Sequence, residues 1–339
     1  MVLLGEVTHS GGEINYEQIA RDVCKQIGYD SDEKGLDYKT MNVIQNIEGQ
    51  EPEIAAAVHL EKKEEDLGAG DQGLMFGYAT DEWDTEILHP YSHYLANRIC
   101  EKMAELRHSK EIPWLRPDAK SQVIVEYKRE GRNVKPVRVY NILISTQTDP
   151  GITKEELEST LKEKVIFKEV PSEMLKDTKI HINPGGVFCM GGPKADAGLT
   201  GRKIIVDTYG GWAPHGGGAF SGKDPTKVDR SAAYYARYVA KSLVASGLCH
   251  RAQIQVSYAI GLADPLSIHV DSFGTAKEGL TEKDLERIVR KNFNFRPYNV
   301  IKELNLRRPI YQQAAKYGHF GRVDPDFTWE TPKKDLVLD

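Results

Sequence analysis

The chain has 339 residues, of which 40% are hydrophobic and 28% are charged, a composition typical of a globular protein with two or three domains. Its formal net charge of −5 provides no excess of basic residues, so we expect no nucleic-acid partner. No apolar run approaches the roughly 20 residues of a membrane helix, and we expect no membrane association. The four cysteines are far apart in the sequence, which indicates reduced thiols and a cytoplasmic location.

The apolar patterns predict groups of strands and helices along the chain. Strands are predicted at VLLGEVT (2–8), MNVIQNI (41–47) and LMFGYAT (74–80), with a helix over NYEQIARDVCKQIGY after the first of them. Further along, the patterns predict a helix from about Pro90 to Arg107, a hairpin with its turn near Glu130–Asn133, a helix that begins at Thr153 with Glu156 in a capping box, a strand at RKIIVDTYGG (202–211), a helix from about Lys227 to Ala245, strands at AQIQVSYAI and LSIHVDSF, and a helix that begins at Thr281 with Asp284 as its cap.

The order of these elements predicts the fold class. A strand–helix–strand–strand–helix group occurs twice, and its first part occurs a third time. Strand pairs covered by helices on one face are typical of α+β layers, so we expect three similar sheet-plus-helix domains. The expected divisions are 1–60, 67–185 and 190–328, with a tail at 329–339. The first helix is expected to present Ile19, Val23 and Ile27 on one apolar face.

The stretch GGGAFSGKD (216–224) nearly matches a phosphate-binding P-loop. Gly217, Gly222 and Lys223 fit G-x-x-x-x-G-K, but Asp224 stands where that motif needs a serine or threonine. The loop is also too far from the strand predicted before it, which argues against a P-loop. Two interpretations remain open from the residues: a polyphosphate–metal site, favoured by the nearby cations and carboxylates, and a mobile glycine linker.

Other glycine-rich loops carry the same kinds of charged residues. GAGDQG (68–73) contains Asp71, and GGPKADAGLTGRK (191–203) contains Asp196 followed by Arg202 and Lys203. RPDAK (116–120) adds Asp118 and Lys120. Taken singly, each of these loops is typical of a turn. Together they suit a polyanion bound with a divalent metal ion.

These segments also resemble a known family. GAGDQGLMFGYATDE and GGGAFSGKDPTKVDRSAAY are similar to the two signature segments of the S-adenosylmethionine synthase (methionine adenosyltransferase) family. WLRPDAKSQV, DAGLTGRKIIVDTYGGW, IQVSYAIG and PIYQQAAKYGHFGR resemble the family as well. The resemblance runs from about residue 1 to residue 330.

The resemblance implies three α+β domains related by pseudo-threefold symmetry, and a homodimer that joins through flat sheet faces and can pair again into a dimer of dimers. It implies two reactions at one site. The sulfur of L-methionine attacks C5′ of ATP and displaces the whole triphosphate, and the bound tripolyphosphate is then hydrolysed to pyrophosphate and phosphate. Two Mg²⁺ ions per site and K⁺ are the implied cofactors. Such a site needs alignment of the reacting atoms and stabilisation of the anionic leaving group.

The resemblance also assigns roles to residues of this sequence. Expected catalytic residues are Lys120, Arg202, Lys203, Lys223 and Lys227; expected ATP and phosphate contacts are these five together with Asp118, Phe188 and Ala219; expected methionine contacts are Glu6, Gln50, Asp71, Asp196 and Lys227; and Asp229 is the expected Mg²⁺ ligand. Phe188 is expected to stack on adenine. The resemblance implies that each site draws on both subunits, so that a monomer is inactive.

The sequence departs from the family pattern at several places. The family's His-Pro-Asp-Lys motif, whose His is expected at the reacting centre and whose Asp holds Mg²⁺, does not occur in these residues, and a glutamate that is a family K⁺ ligand is expected before Met1. Glu53 stands where the family has Asp, Ala55–Ala57 replaces a polar and glycine-containing gate, and Val187 replaces an Arg. A shift of about 1 Å in a reacting group can cost on the order of 10²-fold in rate.

Two hypotheses follow from these departures. The first is a synthase whose N-terminal segment lies outside this sequence. The second is a catalytically weak or silent paralogue that acts as a binding or regulatory subunit of a synthase oligomer, in which a full-length paralogue can take part. We expect little or no S-adenosylmethionine from the chain alone. His89 and His93, four residues apart, are interpreted as surface or interface histidines rather than a metal pair, and YGHFGR (317–322) as a packing or interface segment.

Overall fold

A computed structural model describes residues 1–9, 11–51 and 63–338. It combines helices with several small sheets, which confirms the expected α+β class built from sheet-plus-helix units. Two compact units contain the described residues: the first within Met1–Ile54, Leu95–Ile124 and Arg138–Leu199, and the second within Ala55–Tyr94, Val125–Val137 and Thr200–Asp339. The division into three domains with pseudo-threefold symmetry stays a prediction.

The strands and helices have the following bounds. The strands are β1 (Val2–Glu6), β2 (Asp30–Ser31), β3 (Leu36–Asp37), β4 (Ile44–Glu48), β5 (Gly73–Thr80), β6 (Leu115–Glu130), β7 (Asn133–Thr148), β8 (Lys179–Ile182), β9 (Arg251–Tyr258) and β10 (Ser267–Asp271). The α-helices are α1 (Tyr16–Ile27), α2 (Tyr91–His108), α3 (Lys154–Leu161), α4 (Phe167–Glu169), α5 (Ile204–Asp207), α6 (Val228–Ala245), α7 (Glu282–Asn292), α8 (Pro297–Glu303) and α9 (Tyr311–Ala314). A π-helical turn (Lys162–Ile166) joins α3 to α4, and short 3-10 turns lie at Asp32–Lys34, Glu64–Asp66, Ser172–Leu175, Gly192–Lys194 and Thr328–Glu330.

In the first unit, β1 and β4 form a parallel pair beside helix α1. The buried residues of this small core are Ala20, Cys24 and Met41. Ile19, Val23 and Ile27 lie on one face of α1 as predicted, but this face is exposed, and Ala20 and Cys24 face the core. Helical periodicity gives two apolar stripes here, and it does not show which of them has a packing partner.

The predicted hairpin is present as β6 and β7, whose strands are 16 residues long and turn between Glu130 and Asn133. Strand β8 extends this sheet and runs parallel to β7. Helix α3 begins where predicted, because the Thr153 hydroxyl accepts a hydrogen bond from the Glu156 amide over 3.1 Å. This contact satisfies one of the free amides of the first helical turn.

The second unit is built on the antiparallel sheet β10-β9-β5, with helix α6 packed against β5 and β9. Strand β5 pairs with β9 along its whole length, from Gly73 opposite Tyr258 to Thr80 opposite Arg251. Helix α7 has the predicted capping box, in which the Thr281 side chain and the Asp284 carboxylate exchange hydrogen bonds with each other's backbone amides. The largest hydrophobic core of the described residues lies around this sheet.

The strand predicted at 202–211 was wrong, because residues Ile204–Asp207 form the short helix α5. The run of Ile204, Ile205 and Val206 favours a strand by propensity, but no strand pairs with it. The Thr208 hydroxyl instead donates to the Ile204 carbonyl over 2.9 Å, and Gly210 and Gly211 continue into a turn with positive φ. Among the described residues, no helix is long and apolar enough to cross a membrane.

Candidate functional site

The candidate phosphate loop, residues 216–229, leads from the end of a glycine-rich turn to the first turn of α6. Gly218 lies against Asp229, and a Cβ at this glycine would overlap the Asp229 carboxylate. No side chain caps the N-terminus of α6, whose N-cap residue is Lys227. The loop therefore places backbone amides, two lysines and a carboxylate at one helix terminus, where the helix dipole favours anions.

Ion pairs link the charged groups of this loop. Lys223 Nζ contacts the Asp229 carboxylate, and these side chains are 27% and 12% exposed. Lys227 Nζ lies 3.5 Å from Asp224, whose carboxylate also accepts hydrogen bonds from Thr226. Burial raises the pKa of Asp224, but the hydrogen bonds from Thr226 and the charge of Lys227 leave it below the usual value. The loop is thus a defined arrangement of charges in which both lysines stay partly accessible.

The second unit contains four other residues with expected roles at the substrates: Ala219, Arg202, Lys203 and Asp71. Ala219 packs closely on Gly201, beside the segment that carries Arg202 and Lys203. Both of these cations are exposed and form no ion pair with a described residue. Asp71 is exposed just before β5, and its carboxylate accepts the Gln72 amide over 2.8 Å. The second unit therefore holds five of the residues expected at the phosphates, namely Ala219, Arg202, Lys203, Lys223 and Lys227, and their roles stay predictions.

In the first unit, Asp118 and Phe188 meet at one backbone position. The Asp118 carboxylate accepts the Gly192 amide over 2.9 Å, and a Cβ at Gly191 would stand 3.0 Å from both Asp118 and the Phe188 ring. Lys120 lies two residues further along β6 and is exposed. Alternation along the strand puts Asp118 and Lys120 on one side of it. The two residues expected at the nucleotide, Asp118 and Phe188, are therefore neighbours in the first unit.

Of the residues expected to bind methionine, Glu6, Gln50 and Asp196 lie in the first unit, and Asp71 and Lys227 lie in the second. Glu6 ends β1 and stands opposite Glu48 in the register of β1 with β4. The Gln50 amide donates to the Thr8 hydroxyl over 3.3 Å, so Gln50 lies beside the same end of this strand pair. Asp196 is exposed after the Gly192–Lys194 turn.

Two residues beside the phosphate loop received no assigned role from the sequence. The Arg230 guanidinium is buried and donates to the Lys223 carbonyl over 3.1 Å, while stacking 4.2 Å above the Tyr311 ring. His215 accepts the Gly217 amide over 2.8 Å, and burial lowers its pKa although Asp229 acts in the opposite direction. The position of His215 directly before three glycines was the signal for such a contact.

His89, in the turn before α2, and His93, in α2, were interpreted from the sequence as surface or interface histidines, and the structure corrects this. His89 and His93 are buried rather than at the surface, with His89 Nε2 and His93 Nδ1 2.8 Å apart. His93 Nε2 lies 2.8 Å from the Val206 carbonyl and fixes the end of α5. His319, in the YGHFGR segment, is buried in the second unit and its Nδ1 lies 2.6 Å from the Tyr234 hydroxyl. That contact agrees with the packing role expected for the segment.

Within residues 1–9, 11–51 and 63–338, no group of three or more His, Cys, Asp or Glu side chains is placed to hold a metal ion. Mg²⁺ that is bound beside substrate phosphates takes only one or two carboxylates from the protein, and the Mg²⁺ role expected for Asp229 stays a prediction. Among the departures from the family pattern, Glu53 and Ala55–Ala57 lie outside the described residues. Val187 is 86% exposed next to Phe188.

The fold and these loops define a class of protein: an α+β protein with a lysine- and carboxylate-bearing glycine loop of the type that binds polyphosphates. Comparison with protein families is more specific. Residues 66–188 match the S-adenosylmethionine synthetase central domain, and residues 190–331 match the S-adenosylmethionine synthetase C-terminal domain. The chain belongs to the S-adenosylmethionine synthetase family. Membership indicates a transferase of S-adenosylmethionine biosynthesis with the metal dependence usual in that family.

Buried His319 predicts how stability changes with acidity. Burial, with Arg230 and Arg322 nearby, lowers its pKa to about 3, below the value of about 6.5 in an unfolded chain. Between these values the unfolded state binds the proton and the folded state does not, so stability is lost as pH falls through this window. We expect H319Q to flatten the pH dependence of the unfolding free energy by up to about 1.4 kcal/mol per pH unit. Urea titrations from pH 7 to pH 4 measure this slope, and an unchanged slope would contradict the prediction.

Proposed function

We propose that the protein synthesises S-adenosylmethionine from ATP and L-methionine and hydrolyses the bound tripolyphosphate to pyrophosphate and phosphate. The observation that carries the proposal is the glycine loop in which Lys223 and Asp229 pair, inside a matched family domain. This loop places positive charge where a triphosphate leaving group needs it. We further propose ATP and methionine as partners, and a homodimer or dimer of dimers as the working assembly.

In this mechanism the protein supplies no nucleophile, because the methionine sulfur itself attacks C5′. Lys223 and Lys227 hold oxygens of the triphosphate and stabilise the charge that develops as it leaves. Arg202 and Lys203, exposed and unpaired among the described residues, add to this stabilisation. Arg230 stabilises the loop through its hydrogen bond to the Lys223 carbonyl.

The nucleotide and the methionine are bound by separate groups of residues. Phe188 stacks on adenine, and Asp118 and Lys120 bind the nucleotide. Glu6, Gln50, Asp71 and Asp196 position methionine so that its sulfur lines up with C5′, because alignment accounts for much of the rate in such a reaction. Ala219 keeps its loop closely packed on Gly201.

Asp229 is the residue of this chain that would hold Mg²⁺, with the tripolyphosphate oxygens as the remaining ligands. Bound Mg²⁺ supplies charge neutralisation at the phosphates. K⁺ is the second cofactor proposed by analogy with the family. The ion pair with Lys223 orients the Asp229 carboxylate toward the loop.

The alternative is a binding or regulatory subunit with weak or no catalysis. It is favoured by Val187, which presents an exposed apolar side chain beside Phe188 where the family has an arginine. Incubation with ATP, L-methionine, Mg²⁺ and K⁺, followed by separation of S-adenosylmethionine, distinguishes the two. Product whose formation requires Lys223 supports the synthase. Tripolyphosphate binding without product supports the subunit, and the absence of both contradicts both.

A further inference from the structure

A second charged groove lies in the second unit and shares no residue with the phosphate loop. Its volume is about 640 Å³. One wall is the tip of the β6–β7 hairpin, with Arg129 and Arg132. The other wall is the end of β10 and the turn after it. The remaining lining residues are Val134, Arg251, Asp271, Phe273, Gly274 and Glu282.

Two neighbouring residues of a tight turn after β10, Phe273 and Gly274, each lie against the guanidinium group of one arginine. The Thr275 amide donates to the Ser272 carbonyl over 2.9 Å, and the central residues Phe273 and Gly274 have φ of 55° and 68°. The guanidinium of Arg251 lies 4.1 Å from the centre of the Phe273 ring. At Gly274 a Cβ would overlap the Arg132 side chain, so a larger residue there would displace the guanidinium from this position.

Phe273 is a bulky residue in a left-handed conformation that such residues rarely adopt. Conformations of this kind persist only where the surroundings enforce them, and they are enriched at ligand sites. Here the conformation places the ring under Arg251 and thereby fixes the position of its guanidinium. Arg251 Nε also donates to the Tyr78 hydroxyl over 3.0 Å, which orients the rest of the group.

The two carboxylates of the groove form no ion pair with its arginines among the described residues. Asp271 accepts the Phe273 amide over 2.6 Å, and Glu282 accepts the Ser272 amide over 3.0 Å and its hydroxyl, so both carboxylates stabilise the turn. None of the three arginines that line the groove forms an ion pair with a described residue. The lining keeps one excess positive charge, and most of the guanidinium N–H groups have no acceptor in the part of the chain that the structure describes.

The geometry points to an anion-binding site in this groove, formed by Arg129, Arg132 and Arg251, that takes a phosphate dianion. A guanidinium group can donate two parallel hydrogen bonds to the oxygens of one phosphate, and a cluster of arginines favours phosphate over a singly charged anion. Inorganic phosphate and the phosphoryl group of a small ester share this chemistry. The site is separate from the proposed triphosphate site and does not depend on it.

Calorimetric titration tests the site in the full chain carrying K223Q and K227Q, which removes the lysines of the phosphate loop. The probes are inorganic phosphate and glycerol 3-phosphate, with acetate as the singly charged comparison. We expect saturable binding of phosphate, weakened at least tenfold by R129Q with R132Q, because each lost charge-assisted bond corresponds to about that factor. Stronger binding of either phosphate probe identifies the source of the ligand.

The matched control carries K128Q and K135Q in the same background. Lys128 and Lys135 lie on the same hairpin, pair with Glu130 and do not line the groove, so this pair removes the same charge. We expect the control to bind phosphate within about twofold of its parent. Equal losses in both pairs, or no phosphate binding in the parent, would overturn the proposal.

Discussion

Replacing Glu330 with alanine is expected to lower the free energy of unfolding by about 3–5 kcal/mol. Glu330 is buried in the second unit, where it accepts hydrogen bonds from Arg237 over 2.8 Å and from Lys241 over 2.9 Å. It also accepts the Gly321 amide over 2.9 Å. The alanine variant leaves two buried cations without their counterion, and this desolvation penalty is the reason for the large effect.

The pKa of Glu330 is consistent with this account. Burial would raise it, but Arg237 and Lys241 hold it below its usual value, so the group is ionised in the folded protein. Arg237 in addition donates to the carbonyls of Tyr78 and Leu88, each over 2.7 Å, and so ties the start of α2 and strand β5 to α6.

Urea unfolding of the Glu330→Ala variant measures the loss. The matched control is Glu286→Ala, which breaks the exposed pair with Arg290 on α7 and should cost no more than about 0.5 kcal/mol. A loss below about 1 kcal/mol at Glu330 would show that the two cations find other partners or water.

Replacing Lys223 or Lys227 with alanine is expected to weaken binding of tripolyphosphate about tenfold to a hundredfold. Each lysine supplies charge-assisted hydrogen bonds of about 1.5–3 kcal/mol, and a factor of ten corresponds to about 1.4 kcal/mol. Lys223 should have the larger effect, because its loss also releases Asp229 from its ion pair.

Titration calorimetry with tripolyphosphate and Mg²⁺ compares these variants with the original chain. Lys334→Ala is the control, since this exposed lysine near the C-terminus belongs to none of the proposed contacts. If Lys334→Ala weakens binding as much as the loop variants do, overall charge rather than the loop is responsible.

Local sequence patterns correctly predicted those helices and strands that are marked by residues within the element itself. The capping residues Thr153 and Thr281 marked two helix starts correctly, and alternating residues marked β9 and β10. The pairing of β5 with β9 was not predictable from these patterns, because its residues are far apart in the sequence and periodicity does not name a partner strand. The same limit explains why the strand prediction at 202–211 was wrong, since that run has no strand beside it.

The sequence indicated which residue types the candidate site contains, but it did not give the contacts between them. The glycine spacing and charge types of the loop named Lys223, Lys227 and Asp229, and their roles stay predictions. The ion pair between Lys223 and Asp229 depends on the path of the loop around Gly218, which sequence spacing does not give. Burial of His89 and His93 was likewise invisible, because neutral histidines can pair in a core.

The most direct test of the central claim is a titration of tripolyphosphate into the protein with and without Mg²⁺, repeated with Asp229→Asn. We expect Mg²⁺ to strengthen the binding of tripolyphosphate to the original chain. We expect the Asp229→Asn variant to lose most of this Mg²⁺-dependent gain. A variant that keeps the full Mg²⁺ effect, or an original chain that binds tripolyphosphate no better with Mg²⁺, would contradict the role of Asp229 as the metal ligand of a polyphosphate site.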